Sequence, residues 1–206
     1  TLTNGAATPV AQPITTRPDV GRCGIEDMVY VGTGKFLGDS DKTTTALQSV
    51  YGIKDGASTI STGRNALVEQ TLSSSAVVSG AYTITANAVD LASKSGWFVD
   101  LDRNSGERIN LDPALVLGTL LFISNRPDGT IAGADQCTVG GLSYYYELDA
   151  CTGSFVQTAS NQVVGGLLAN SLAVGNIVIR LPSGAVKTIV TTSGGDKITR
   201  GVSTSG

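Results

Sequence analysis

The sequence predicts an all-β protein, built from a partial set of antiparallel blades of a β-propeller. Three observations carry this. Gly, Thr and Ser are abundant while only 15% of the 206 residues are charged, below the usual quarter. Apolar residues recur in short alternating runs closed by Gly, Asp or Pro turns, the pattern of strands rather than of long helices. One such unit then appears a second time about 90 residues further on.

The elements follow in order. Residues 1–20 hold Pro9, Pro13 and Pro18 among Thr and Ala, which reads as an extended lead-in or linker. From Met28 the pattern changes: Val29 and Val31 alternate with Tyr30 and Gly32 and end in a Gly32-Thr33-Gly34 turn. A polar loop from Gly38 precedes a strand from Ser49 to Lys54, which places Val50 and Gly52 on one face and Tyr51 and Ile53 on the other. Asp55-Gly56 closes it. Arg64 to Leu72 reads as a further strand, and Ala81 to Asn87 and Gly96 to Leu101 as two more. Leu115 to Ile123 reads as one buried strand. After a polar loop, Ser143 to Asp149 sets Tyr144, Tyr146 and Leu148 on one face and closes at Thr152-Gly153. Val163 to Val174 is apolar on several faces and its period is ambiguous. Gly175 to Leu181 and Ala185 to Thr192, joined by Pro182-Ser183-Gly184, form the clearest hairpin.

The repeat is therefore a strand, a polar loop, then a strand ending in an aspartate and a Gly turn. Such units bury their faces only by stacking on neighbours. A blade takes roughly 40–50 residues, so residues 21–206 accommodate two or three blades with long insertions, as part of a larger propeller.

Composition also excludes chemistry. The chain has no histidine, which removes Ser-His-Asp and Cys-His catalysis, His-ligated metals and the usual base near neutral pH. Asp39/Asp41 and Asp100/Asp102 sit in turn-rich, solvated contexts. Gly32-Thr33-Gly34-Lys35 fails as a phosphate loop because Phe36 follows the lysine and the upstream glycine spacing is wrong. With net charge −3 and 14 basic residues scattered along the chain, no basic stripe is present and nucleic acid is not expected as a partner. No apolar run reaches the roughly 20 residues of a membrane span. Asp100, Asp102 and Asn104 are the best calcium-loop candidates, yet Ser105 and Leu111 stand where that loop needs glycine and glutamate, so a polar hairpin turn is expected. Trp97 with Phe98, and Tyr144 to Tyr146, are read as blade core rather than as a binding platform. Three cysteines, Cys23, Cys137 and Cys151, allow one internal disulfide; Cys23–Cys151 and Cys137–Cys151 both remain open.

The hairpin residues also resemble a known family. Val31-Gly32-Thr33-Gly34-Lys35-Phe36-Leu37 and Gln48 to Asp55, Gly96 to Leu101, Gly106-Glu107-Arg108, Asp112-Pro113 and Phe122, then Cys137, Gly140-Gly141 and Tyr146 to Ala150 are similar, in order and spacing, to the C-terminal propeller of PilY-type (PilC-related) type IV pilus tip adhesins and biogenesis factors. The resemblance covers roughly residues 12–157. It implies a quinoprotein-like propeller that is structural, without a quinone and without turnover. It also implies an exported protein of the pilus tip or cell surface, passing the periplasm or outer membrane. The family supports pilus assembly, adhesion, twitching motility and virulence. Pilin and minor pilins would be partners, with a host or abiotic surface beyond them, and the 38–47 and 124–142 loops are the first candidates for contact. Family members that bind calcium use an acidic loop not found among the matching motifs, so no cofactor is expected in this stretch; a calcium loop would lie elsewhere in a full-length protein. A quinoprotein-like dehydrogenase fragment and a carbohydrate-binding surface propeller are the alternative readings.

Overall fold

A computed structural model describes residues 3, 10–56, 60, 62–128 and 140–204. Among them are fourteen strands in three sheets and no α-helix. No helix among these residues is long and apolar enough to cross a membrane.

Sheet 1 begins with a meander of β1 (Asp19–Cys23), β2 (Glu26–Gly32) and β3 (Ser49–Lys54), each antiparallel to the next. The chain then leaves the sheet. It returns as β4 (Val68–Gln70), makes β5 (Leu72–Ser74) and β6 (Ala81–Ile84), and completes the sheet with β7 (Gly96–Asp100) beside β3. Sheet 2 repeats the meander with β8 (Ala114–Val116), β9 (Thr119–Pro127), β10 (Gly141–Asp149) and β11 (Val163–Ala169). Sheet 3 is the simple ribbon β12 (Ala173–Arg180), β13 (Val186–Thr192) and β14 (Lys197–Gly201).

Residues 55–95 serve both larger sheets. β4 adds to sheet 1, parallel to β7, while β5 and β6 add to sheet 2 on the far side of β11. The strand orders are β1-β2-β3-β7-β4 and β5-β6-β11-β10-β9-β8. The three antiparallel-dominated sheets bear out the all-β class, and among the described residues they do not close into a ring.

Alternation sorts the side chains as the pleat requires. Met28, Tyr30, Val50, Trp97 and Val99 of sheet 1 meet Leu120, Phe122, Tyr144, Tyr146 and Leu148 of sheet 2 in the largest core. Trp97 is at its centre, fully buried, and its indole N–H donates to the Ala150 carbonyl at 2.9 Å. Two glycines make the slot for this ring. A Cβ on Gly52 or on Gly153 would come within 2.4 Å of it, so the closing Gly of the second repeat is there for the Trp as much as for the turn. The opposite face of sheet 2, with Leu121, Ile123 and Tyr145, packs on Ala173 and Val190 of sheet 3. The opposite face of sheet 1 carries Val31, Tyr51 and Phe98 under Leu67.

Two local readings need correction. Leu115 to Ile123 is two strands, since Leu117 and Gly118 both take positive φ (46° and 76°) and close a two-residue hairpin pairing Val116 with Thr119. That turn type needs left-handed backbone at both positions, and a leucine gives no sign of it. Arg64 to Leu72 is not one strand: residues Gly63–Ala66 form a 3-10 turn, and β4 and β5 then join different sheets. The ambiguous stretch from Val163 to Val174 is β11 up to Ala169, then a short connection, then the start of β12 in sheet 3.

Candidate functional site

The candidate site lies at the end of sheet 1 where β2 ends and β3 begins. The segment between them, residues 33–48, is tied down at several points. Thr33 exchanges bonds with Ser49, its N–H donating to the Ser49 carbonyl at 2.9 Å and its hydroxyl accepting from the Ser49 N–H at 2.8 Å. Gly34 donates to the Pro13 carbonyl at 2.7 Å. Its φ is +138°, and a Cβ there would lie 2.5 Å from that of Arg108; glycine is needed for both reasons.

Arg108 organises the loop. Its side chain is buried, at 3% exposure, and its guanidinium donates to the carbonyls of Lys35 (3.2 Å), Asp41 (2.5 Å) and Thr44 (2.7 Å). Burial pulls its pKa down and the Asp41 charge opposes this. Asp41 is not solvated as its turn-rich context suggests but buried on the loop's inner side, because it accepts the Leu37 N–H at 2.9 Å and pairs with Lys35 at 3.1 Å. The Leu37 amide, then Lys35, hold its carboxyl below the ordinary range. With its inner side fixed, the loop presents Leu37, 78% exposed, beside Asp39 and Lys42, themselves paired at 2.7 Å. A small cleft of about 150 Å3 opens next to it between Val10, Pro13, Lys35 and Ala46.

Glu107, the neighbour of Arg108, points the other way, into the core between the sheets. One carboxylate oxygen accepts from the Ser124 and Tyr146 hydroxyls, the latter at 2.8 Å, and the other from the Asn104 amide at 2.8 Å. Burial raises its pKa against the pull of these donors. The backbone of 108–109 then bridges the sheets: Ile109 donates to the Thr33 carbonyl, and Arg108 exchanges both bonds with Asn125. The Asn125 side chain continues to sheet 3 through Ala173, donating to its carbonyl and accepting its N–H, both at 2.8 Å. Two motifs over 70 residues apart, Gly32-Thr33-Gly34 and Gly106-Glu107-Arg108, are thus one structural unit.

Asp100 is held by Arg64, its two oxygens each 2.9 Å from the guanidinium. Asp102 pairs with Arg103, and Asn104 bonds Tyr82 and Glu107. The three side chains thus turn to separate partners. Among the described residues no group of three or more His, Cys, Asp or Glu is placed to hold a metal ion. Cys23 and Cys151 form a disulfide at the opposite end of the stack. Cys137 lies outside the described residues, as do 129–139 of the 124–142 loop. Trp97 and Phe98, and Tyr144 to Tyr146, are all buried.

Arg64 escaped the sequence reading. It lies over the Phe98 ring at 4.4 Å, donates to Ser49 and Tyr51 at 2.7 Å each, and closes the outer face of sheet 1 together with Gln12, which bonds Tyr51 and Ser49. Its partners are spread along the chain, and no local pattern announces them.

No protein-family model matches the chain. A type IV pilus biogenesis factor PilY1 homolog of Xylella fastidiosa (strain Temecula1 / ATCC 700964) is 31% identical over 132 residues, 61% of this chain and 9% of that protein. A further match to a PilY1 homolog of that strain is 27% identical over 149 residues, 69% of this chain and 12% of that protein. The chain therefore spans about a tenth of these relatives' length. The crystal structure of the Pseudomonas aeruginosa PilY1 C-terminal domain superposes with a TM-score of 0.66 at 18% identity, over 97% of this chain and 47% of that one. The chain is homologous to a stretch of the type IV pilus biogenesis factor PilY1 homologs and shares the fold of about half of the PilY1 C-terminal domain.

Proposed function

We propose that the chain is a non-enzymatic part of a type IV pilus tip adhesin and assembly factor, exported to the pilus tip and cell surface. The observation that carries this reading is the 31% identity to a type IV pilus biogenesis factor homolog. Residues 1–20 lead into residues 21–206, which are blades of a larger propeller. The contact surface for pilin or minor pilins is the 35–48 loop. Leu37 stands on a backbone already fixed by Arg108 and Asp41, so little ordering entropy is lost when a partner covers it. Through that contact the protein supports pilus assembly, adhesion and twitching motility.

The test is made in the full-length gene. Replacing residues 36–43 by a Gly-Ser linker is expected to abolish or strongly reduce surface pili, counted by electron microscopy and in sheared fractions. Arg108→Ala, which loosens the loop without altering its exposed residues, is expected to reduce them in part. Normal piliation and adhesion in the first strain, with the protein exported at its usual level, would sink the proposal.

A further inference from the structure

We propose that β12 is an open docking edge that takes an extended strand from a partner protein, apolar at alternate positions and carrying carboxylates between them. The two edges of sheet 3 are built differently. β14 has five residues, and Lys197 and Arg200 are exposed along it. Short length and charge are how natural sheet edges repel another strand. β12 has eight residues, no proline and no charge before Arg180. It pairs with β13 on one side and, among the described residues, with no strand on the other. Val174 and Ile177 stand 57% and 59% exposed along it. A bulge between Ala173 and Gly175 disturbs only the first residues; from Gly175 to Arg180 the ladder with β13 is regular.

On such an edge every second residue turns its N–H and C=O outward, and a partner strand satisfies that row while its side chains supply selectivity. Ile177 lies opposite Ile189 and Ile179 opposite Lys187. A strand added beside β12 would therefore extend the apolar row of Ile189 and Ile177 and bury Ile177. Charge sets the chemistry of the occupant. Arg180 stands on β12 itself and Lys187 on β13 opposite Ile179, and none of the three strands of sheet 3 holds an acid, within a protein of net charge −3. A second copy of β12 would bring no carboxylate to Arg180. The edge is on a different sheet from the 35–48 loop, so its failure would leave the proposed function standing.

The experiment titrates the whole chain with a capped ten-residue peptide alternating valine with glutamate, read by fluorescence anisotropy and amide hydrogen exchange. Saturable binding is expected, with slowed exchange at residues 175–180. The same peptide with lysine for glutamate should bind at least tenfold more weakly, and so should the Ile177→Lys chain, whose thermal midpoint is expected to be unchanged because the side chain is exposed. Ile177→Val should bind as the parent does. Equal affinity for the basic peptide, undiminished binding by Ile177→Lys, or protection appearing elsewhere and not at 175–180 would each overturn the proposal. Protection of 175–180 that rises with protein concentration alone would also overturn it, by making a second copy the occupant.

Discussion

Sheets 1 and 2 begin with the same antiparallel meander, yet their outer faces are finished in opposite ways. Sheet 2 buries Leu121, Ile123 and Tyr145 under a third sheet. Sheet 1 buries Val31, Tyr51 and Phe98 under Leu67 and a polar lid, in which the Arg64 guanidinium lies over the Phe98 ring and is held by Asp100, Ser49 and Tyr51. The difference shows that a repeated strand pattern fixes the inner face, where the repeats meet, and leaves the outer face to whatever the insertions supply.

The largest expected effect comes from breaking what the sheets share. Trp97→Ala empties the slot formed by Gly52 and Gly153 and leaves the Ala150 carbonyl without its donor. A loss of about 3–5 kcal/mol is expected in denaturant unfolding, with both sheets melting in one transition because the core is common. Two separate transitions would show that the sheets are independent.

The next test separates the outer faces. Arg64→Ala leaves Asp100 half-buried without its cation and should cost about 2 kcal/mol, below the 3–5 kcal/mol of a fully buried pair. Replacing both partners, Arg64→Met with Asp100→Leu, should recover most of that loss, since a buried pair is often matched by apolar residues of similar volume. Leu121→Ala on sheet 2 should cost about 2–5 kcal/mol and have no such rescue. A double-mutant cycle in urea decides between these outcomes.

The smallest effect concerns pH, where two acids near one end of the stack have opposite signs. Asp41 is held below the ordinary carboxylate pKa, so its contribution is present above that value and is lost only as pH falls through its lowered one. Glu107 is raised by burial, so its contribution is complete below the ordinary pKa of about 4.3 and is lost as pH rises through its raised one. Hydrogen exchange should then show the 35–44 loop loosening only in strong acid. The Glu107→Gln chain should show a flatter dependence of stability on pH above about 4.3. An unchanged profile in that variant would mean that Glu107 ionises as freely in the folded chain as in the unfolded one.

Much of the strand map was legible in the sequence. Ser49 to Lys54 and Ser143 to Asp149 were readable because their faces alternate cleanly and each ends at an Asp with a nearby Gly. The 175–192 hairpin was readable from its Pro-Ser-Gly turn. Residues 63–74 were not, because a 3-10 turn and two three-residue strands in different sheets are too short to show a period. The candidate loop was legible as a polar loop between two strands. That Arg108 holds it from inside was not, because the bonds span 64 to 73 residues and go to backbone carbonyls, which carry no residue signature. Arg64 was hidden for the same reason: distance along the chain, not weakness of contact.

The bond between Cys23 and Cys151 has a mechanical consequence. Pulled from its two ends, the chain carries load through that covalent link and around everything it encloses. A separation of 128 residues keeps roughly 400 Å of contour length out of the extension. Both meanders and the shared Trp97 core lie largely within the shielded stretch, whereas sheet 3 lies outside it. Under tension, β1, β11 and the β12–β14 ribbon, which lie outside the link, would give way while the stretch from β2 to β10 stayed closed, and reducing the link would convert a short, stiff tether into a long, compliant one.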